Sequence, residues 1–279
     1  MSTVHREYVD VAHGQVHVRA AGERSEHPTL LCLHMSPASG LVYENVMAEI
    51  GRTRRVIAPD TPGFGASDPT PEPPEIADYA DVMAEVVRAI GGGPVDVMGY
   101  HTGSYTAVEL AVRHPELVRR IVTVSMPVFT ADELAHFLAI YSTDPIFTED
   151  GENLLAKWRW FVDFFGVGRF NTVEDAGRIF LARLSGGPRH WWGHHAAFRY
   201  DAPAALARLD RPITVLNLDD DLTHQTRRAA AYLPSGSILE RPGWTHGFLD
   251  TDPAGAAQAV TQILDANVKY PDAGPGDED

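Results

Sequence analysis

The feature that most limits what this chain can fold into is a series of short apolar runs separated by helix-length amphipathic segments. The runs are TLLCLH (Thr29 to His34), RRVIAPD (Arg54 to Asp60), VDVMGY (Val95 to Tyr100), RRIVTVS (Arg119 to Ser125) and ITVLNL (Ile213 to Leu218). Continuous apolar runs of this length are what parallel strands covered on both faces require. Between them, GLVYENVMAEI, DYADVMAEVVRAI and TGSYTAVELAVRHP carry apolar residues at helical spacing. Strand and helix in alternation predict a doubly wound, mostly parallel α/β sheet. Ahead of it, EYVDVAHGQVHVRA alternates about His13 and Gly14 and predicts a β-hairpin.

The alternation lapses over residues 127–207, which are rich in Trp, Phe and Arg with helical patches. This stretch reads as a helical cap inserted into a core of residues 1–126 and 208–268. The acidic end, residues 269–279, reads as a disordered tail.

A chain of 279 residues, 44% apolar, is large enough for one substantial core. Its formal charge of -15 excludes nucleic acid and anionic membrane as natural partners, since both repel an acidic surface. A small-molecule substrate is the expected partner, and the oligomeric state is open, a homodimer included. The single cysteine, Cys32, lies in an apolar run, so no internal disulfide is possible. No run reaches the length of a membrane span, and the N-terminus has no signal-peptide core. A cytoplasmic protein is expected.

The chemistry centres on GYHTG, Gly99 to Gly103, set between the strand VDVMGY and the helix TGSYTAVELAVRHP. Small residues at both ends of such a turn let the chain reverse sharply and lift the middle side chain above the sheet. His101 is therefore expected at the carboxyl edge of a parallel sheet, where such folds place ligands.

With this turn, the segments LHMSPASG, RRVIAPDTPGFGASD and PGWTHGFLDTDP make the chain resemble the α/β-hydrolase fold family with an inserted cap, from Glu7 to about Ala266. The resemblance implies that His246 is the base. It places the acid in Asp219 to Asp221, with Asp220 favoured by counting back from Leu222 and Thr223. Oxyanion donors are implied at the backbone amides of Met35 or Ser36 and of Thr102, with His34 supporting that loop. Two departures stand out: Met35 follows His34 where the family has glycine, and His101 stands where the family has its nucleophile.

An imidazole cannot form an acyl ester of the serine kind. It can attack a carbonyl to give an acyl-imidazole, or serve as a general base. The expected function is a cofactor-independent hydrolase of a small apolar or aromatic carbonyl compound, an ester or a C–C bond, using His101, His246 and Asp220. A cofactor-free lyase or oxygenase and a noncatalytic ligand-binding protein are the alternatives. Two histidines and an aspartate are also a metal-ligand set, but a carboxylate that orients His246 is not free to ligate, and no metal is expected. Trp158, Trp160, Phe161, Trp191 and Trp192 are expected to line the substrate pocket, with Phe164, Phe165 and Phe198 as further candidates.

Overall fold

A computed structural model describes residues 2–91, 93–167, 171–233 and 236–266. The acidic tail lies outside the described residues.

Eight strands form one sheet in the order β1-β2-β4-β3-β5-β6-β7-β8. The hairpin is β1 (His5–Val11) and β2 (Gly14–Ala21), antiparallel to each other, and β2 runs antiparallel to β4 (Val56–Pro59). From β4 onward the neighbours β3 (Leu30–Leu33), β5 (Val95–Tyr100), β6 (Val118–Val124), β7 (Ile213–Leu218) and β8 (Gly236–Arg241) pair in parallel. The strand order reverses direction at β3, and β5 sits centrally beside it. Every residue of β3, β4 and β5 is buried, which explains their unbroken apolar character.

Helices cover both faces. On one, α2 (Ile76–Ala89), α3 (Thr102–Arg113) and α8 (Ala202–Arg208) join a core cluster that includes Leu31, Val97, Ile121 and Val215. On the other, α1 (Glu44–Ile50), α10 (Phe248–Thr251) and α11 (Pro253–Asp265) pack with Leu30, Cys32, Met98 and Leu216. Alternate residues of each strand thus feed opposite cores.

Between β6 and β7 the chain forms four further helices, α4 (Ala131–Ile140), α5 (Glu152–Phe164), α6 (Val173–Leu184) and α7 (Trp192–Arg199). Among their apolar residues, Leu138, Ile140, Leu155, Trp160 and Leu181 remain exposed. Residues 127–207 are not uniform, however. Ala205 and Leu206 of α8 are fully buried in the first core, as is Ala196 of α7.

The edge strand β8 was not anticipated because it lacks an apolar run. Its burial alternates between half-buried and exposed, as an edge strand with one covered neighbour allows. Helix α9 (Thr223–Arg228) follows β7. Among the described residues, no helix is long and apolar enough to cross a membrane.

Candidate active site

The turn from β5 into α3 is as tight as its glycines suggest. A Cβ on Gly99 would strike the Gly103 carbonyl oxygen, and one on Gly103 would strike that of Leu33. His101 itself is held at φ 48, ψ -111, a conformation that costs a non-glycine residue about 1–3 kcal/mol. The strain raises its imidazole above the sheet edge. Thr102 opens α3, so its backbone amide belongs to the first turn, where amides have no intrahelical acceptor.

At the same edge, the residue after β6 is Ser125, also at positive φ, 54°, and fully buried. Its hydroxyl donates to Asp220 Oδ2 at 2.7 Å. Nε2 of His101 lies 3.2 Å from that same oxygen, while Asp220 Oδ1 accepts the Leu222 amide at 2.9 Å. The Asp220 side chain is fully buried. Burial alone would raise its pKa, but the hydrogen bond and charge of His101, the charge of His246 and the Ser125 hydroxyl bring it down to about 2.

His246 has a different partner. Its Nε2 lies 2.7 Å from Oδ1 of Asp221, whose side chain is half exposed. Burial pushes the Asp221 carboxyl up, and the hydrogen bond from His246 outweighs it, leaving the pKa below the usual range. Burial lowers the pKa of His246 against the upward pull of Asp221, which favours a neutral imidazole donating Nε2–H. The Tyr100 hydroxyl fixes the loop by donating to the His246 carbonyl at 3.1 Å. The third aspartate, Asp219, does neither job: its carboxylate accepts the Gly243 amide at 2.6 Å and braces that loop.

The two histidines meet edge to face, ring centroids 5.2 Å apart and planes at 87°. Both line a cavity of about 70 Å³, together with Met35, Ser36 and Thr102. His34 does not line it. Buried behind the loop, it accepts the Thr61 amide on Nε2 at 2.9 Å and donates from Nδ1 to the Met35 carbonyl at 2.8 Å, which occupies both ring nitrogens.

Of the five aromatic residues expected in the pocket, Trp160 is there and the other four are elsewhere. Phe161 is buried against Phe165 and Phe180, and Trp158 packs on Phe180. Trp191 and Trp192 pack against the first core. The cavity is instead walled by Tyr105, Phe129, Phe137, Tyr141, Phe164 and Phe198, with His194 and Arg183. Sequence reasoning missed Phe129, Phe137, Tyr141 and Arg183. Aromatic residues of these helices look alike in sequence, and only tertiary packing decides which face turns inward.

His101, Asp220 and His246 form a cluster of metal-ligating types, with ligand atoms within 4.8 Å of one another. Asp220, however, is already engaged by His101, Ser125 and the Leu222 amide. As folded, the set is a hydrogen-bonded network in which each imidazole has its own carboxylate.

A family model described as alpha/beta hydrolase fold matches residues 28–165, which run from β3 through the His101 turn into α5. The chain has the α/β-hydrolase fold. It is 29% identical over 277 residues to a 2-(acetamidomethylene)succinate hydrolase of Mesorhizobium japonicum, covering 92% of this chain and 94% of that protein. It is 32% identical over 187 residues to a 2-hydroxymuconate semialdehyde hydrolase of Pseudomonas sp., covering 64% of this chain and 60% of that protein. Among solved α/β-hydrolase structures, that of E-2-(acetamidomethylene)succinate hydrolase superposes with a TM-score of 0.74 at 20% identity, over 95% of this chain and all of that one. A hydrolase from Pseudomonas aeruginosa PA01 gives 0.76 at 20% identity, over 94% and 98%.

Proposed function

We propose that this α/β-hydrolase-fold protein is a hydrolase of a small apolar or aromatic carbonyl compound, an ester or an activated C–C bond, and that His101 and His246 share the proton transfers. The observation that carries the reading is two imidazoles, each on its own aspartate, facing one cavity at the carboxyl edge of the sheet. The two relatives, named as hydrolases of small organic compounds, support the reaction class.

Because Nε2 of His101 donates to Asp220, its Nδ1 is the nitrogen with the free lone pair. That nitrogen takes a proton from water as the water oxygen attacks the carbonyl carbon. His246, kept neutral by burial and oriented by Asp221, is the second base and holds the water in line. The amides of Thr102 and of Met35 or Ser36 stabilise the oxyanion, with the positive end of α3 adding to the field. As the tetrahedral intermediate collapses, the His101 imidazolium returns its proton to the leaving oxygen or carbon. Helices α4 to α7 act as a cap that supplies the apolar wall and excludes bulk water.

The test is hydrolysis of 4-nitrophenyl and methyl esters of short acids in ¹⁸O-labelled water, with intact-mass measurement of the quenched enzyme. The reading expects label in the acid product and no acyl adduct on the protein. An enzyme carrying the acyl mass would replace water attack by nucleophilic His101, and no turnover of any carbonyl compound would remove the hydrolase reading.

A further inference from the structure

The cap contributes one permanent charge to the cavity, Arg183, and among the described residues it has no counterion. Arg183 lies in the last turn of α6, with its guanidinium carbon 5.2 Å from the Phe161 ring centroid and 5.8 Å from that of Trp160. Among the described residues it makes no ion pair and no hydrogen bond. Its neighbours in α6 and α7 behave differently: Arg178 pairs with Asp250 and Glu44, and Arg199 with Glu75.

Arg183 also lies where two cavities join. It lines the one that holds His101 and His246 and a second of about 90 Å³, and Tyr141, Trp160 and His194 are likewise common to both. His194 cannot take over the role of a counter-cation. Burial, and then the charge of Arg183, push its pKa well below the ordinary value, so it stays neutral. Stacked on Tyr141 at 3.9 Å, it forms a flat neutral wall beside the guanidinium.

Arg183 is half-buried at the cavity wall, and its unspent donors are there for an anion that enters. Two rings flank the guanidinium, which leaves its donor fork to be used by a ligand in the cavity. We propose that Arg183 is the substrate-recognition residue of this site, and that it binds a carboxylate carried by the substrate some atoms away from the carbonyl that His101 and His246 act on. A carboxylate matches the planar fork in two parallel hydrogen bonds and carries the single negative charge that one arginine balances. The dianion of a phosphate ester calls for a second cation, and Lys157, the other basic residue at the second cavity, is exposed.

The inference rests on the hydrolase reading for its reacting centre, but the anion site stands without it, and two independent experiments separate them. In the first, binding of butyrate and of butyramide is followed by ligand-observed NMR, which needs no turnover. The wild type is expected to bind butyrate at least ten-fold more tightly, and Arg183→Gln to abolish the preference; Arg183→Lys, which keeps the charge, retains part of it. Equal binding of the two, or tighter binding of inorganic phosphate than of butyrate, overturns the carboxylate assignment. In the second, monomethyl glutarate is compared with dimethyl glutarate as a substrate. Arg183→Gln is expected to lower kcat/KM for the monoester by roughly 10- to 100-fold, the scale of lost hydrogen bonds to a charged group, and to change the diester by less than about three-fold. Hydrolysis of both esters with no effect of Arg183→Gln sinks the anion site and leaves the hydrolase reading intact. Selective butyrate binding without hydrolysis of either ester does the reverse.

Discussion

Asp220 pairs with His101, while His246 turns to Asp221: the two histidines are 5.2 Å apart yet stand on different carboxylates. The imidazole at the turn after β5 sits on the buried aspartate, and the next residue along the chain pairs with the second imidazole. Asp220→Asn removes the anion that fixes the His101 tautomer and stabilises its protonated form. A fall in kcat of about 100-fold or more is expected, within the usual range for a positioned general base. Asp221→Asn, at a half-exposed site, is expected to cost less. Steady-state kinetics on 4-nitrophenyl acetate, with circular dichroism to confirm folding, distinguishes this order from its reverse.

Ser125 is the residue that holds the buried carboxylate in place. Ser125→Ala leaves Asp220 without a 2.7 Å donor, so the Asp220 pKa is expected to rise from about 2 and the acid limb of the pH–rate profile to move up with it. Lost charge-assisted hydrogen bonding at a buried site costs about 1.5–3 kcal/mol, which denaturant titration measures. Ser125→Thr, if the methyl is accommodated, restores the donor and the profile.

Stability depends on the buried histidines. His34 and His246 have pKa values lowered chiefly by burial, so the unfolded chain binds protons that the folded chain refuses. Their contribution is complete above the unfolded value of about 6.5 and is lost as pH falls below it. The melting temperature is therefore expected to decline between pH 7.5 and pH 6 in differential scanning calorimetry, and a flat or rising profile contradicts the neutral assignment.

Selectivity and stability should separate among the aromatic residues. Trp160 and Phe198 line the cavity, so alanine at either is expected to change relative kcat/KM across esters of increasing acyl length. Trp192 is 7% exposed in the first core, and alanine there is expected to cost roughly 3–5 kcal/mol of stability with the order of substrates unchanged.

The parallel strands were legible because burial on both faces forces continuous apolar runs; the expected bounds of VDVMGY and ITVLNL agree with β5 and β7 to the residue. The His101 turn was legible because only glycine fits beside the Gly103 and Leu33 carbonyls. Edge strand β8 has no such signature. Nor has the partnership of Asp221 with His246, since three consecutive aspartates differ only in the direction the loop gives them. Arg183 was hidden for a related reason: an arginine in a helical sequence does not reveal whether it has a counterion.

The measurement that bears most directly on the two-histidine site is kcat/KM of His101→Ala and His101→Ser beside the wild type, with intact-mass analysis of quenched reactions. Alanine is expected to lower kcat/KM by about two or more orders of magnitude with folding intact. Serine is expected to weaken the native reaction and, with His246 and the Thr102 amide still in place, to accumulate an acyl-enzyme that the wild type never shows. A His101→Ala protein that turns over substrate at the wild-type rate would contradict the two-histidine site.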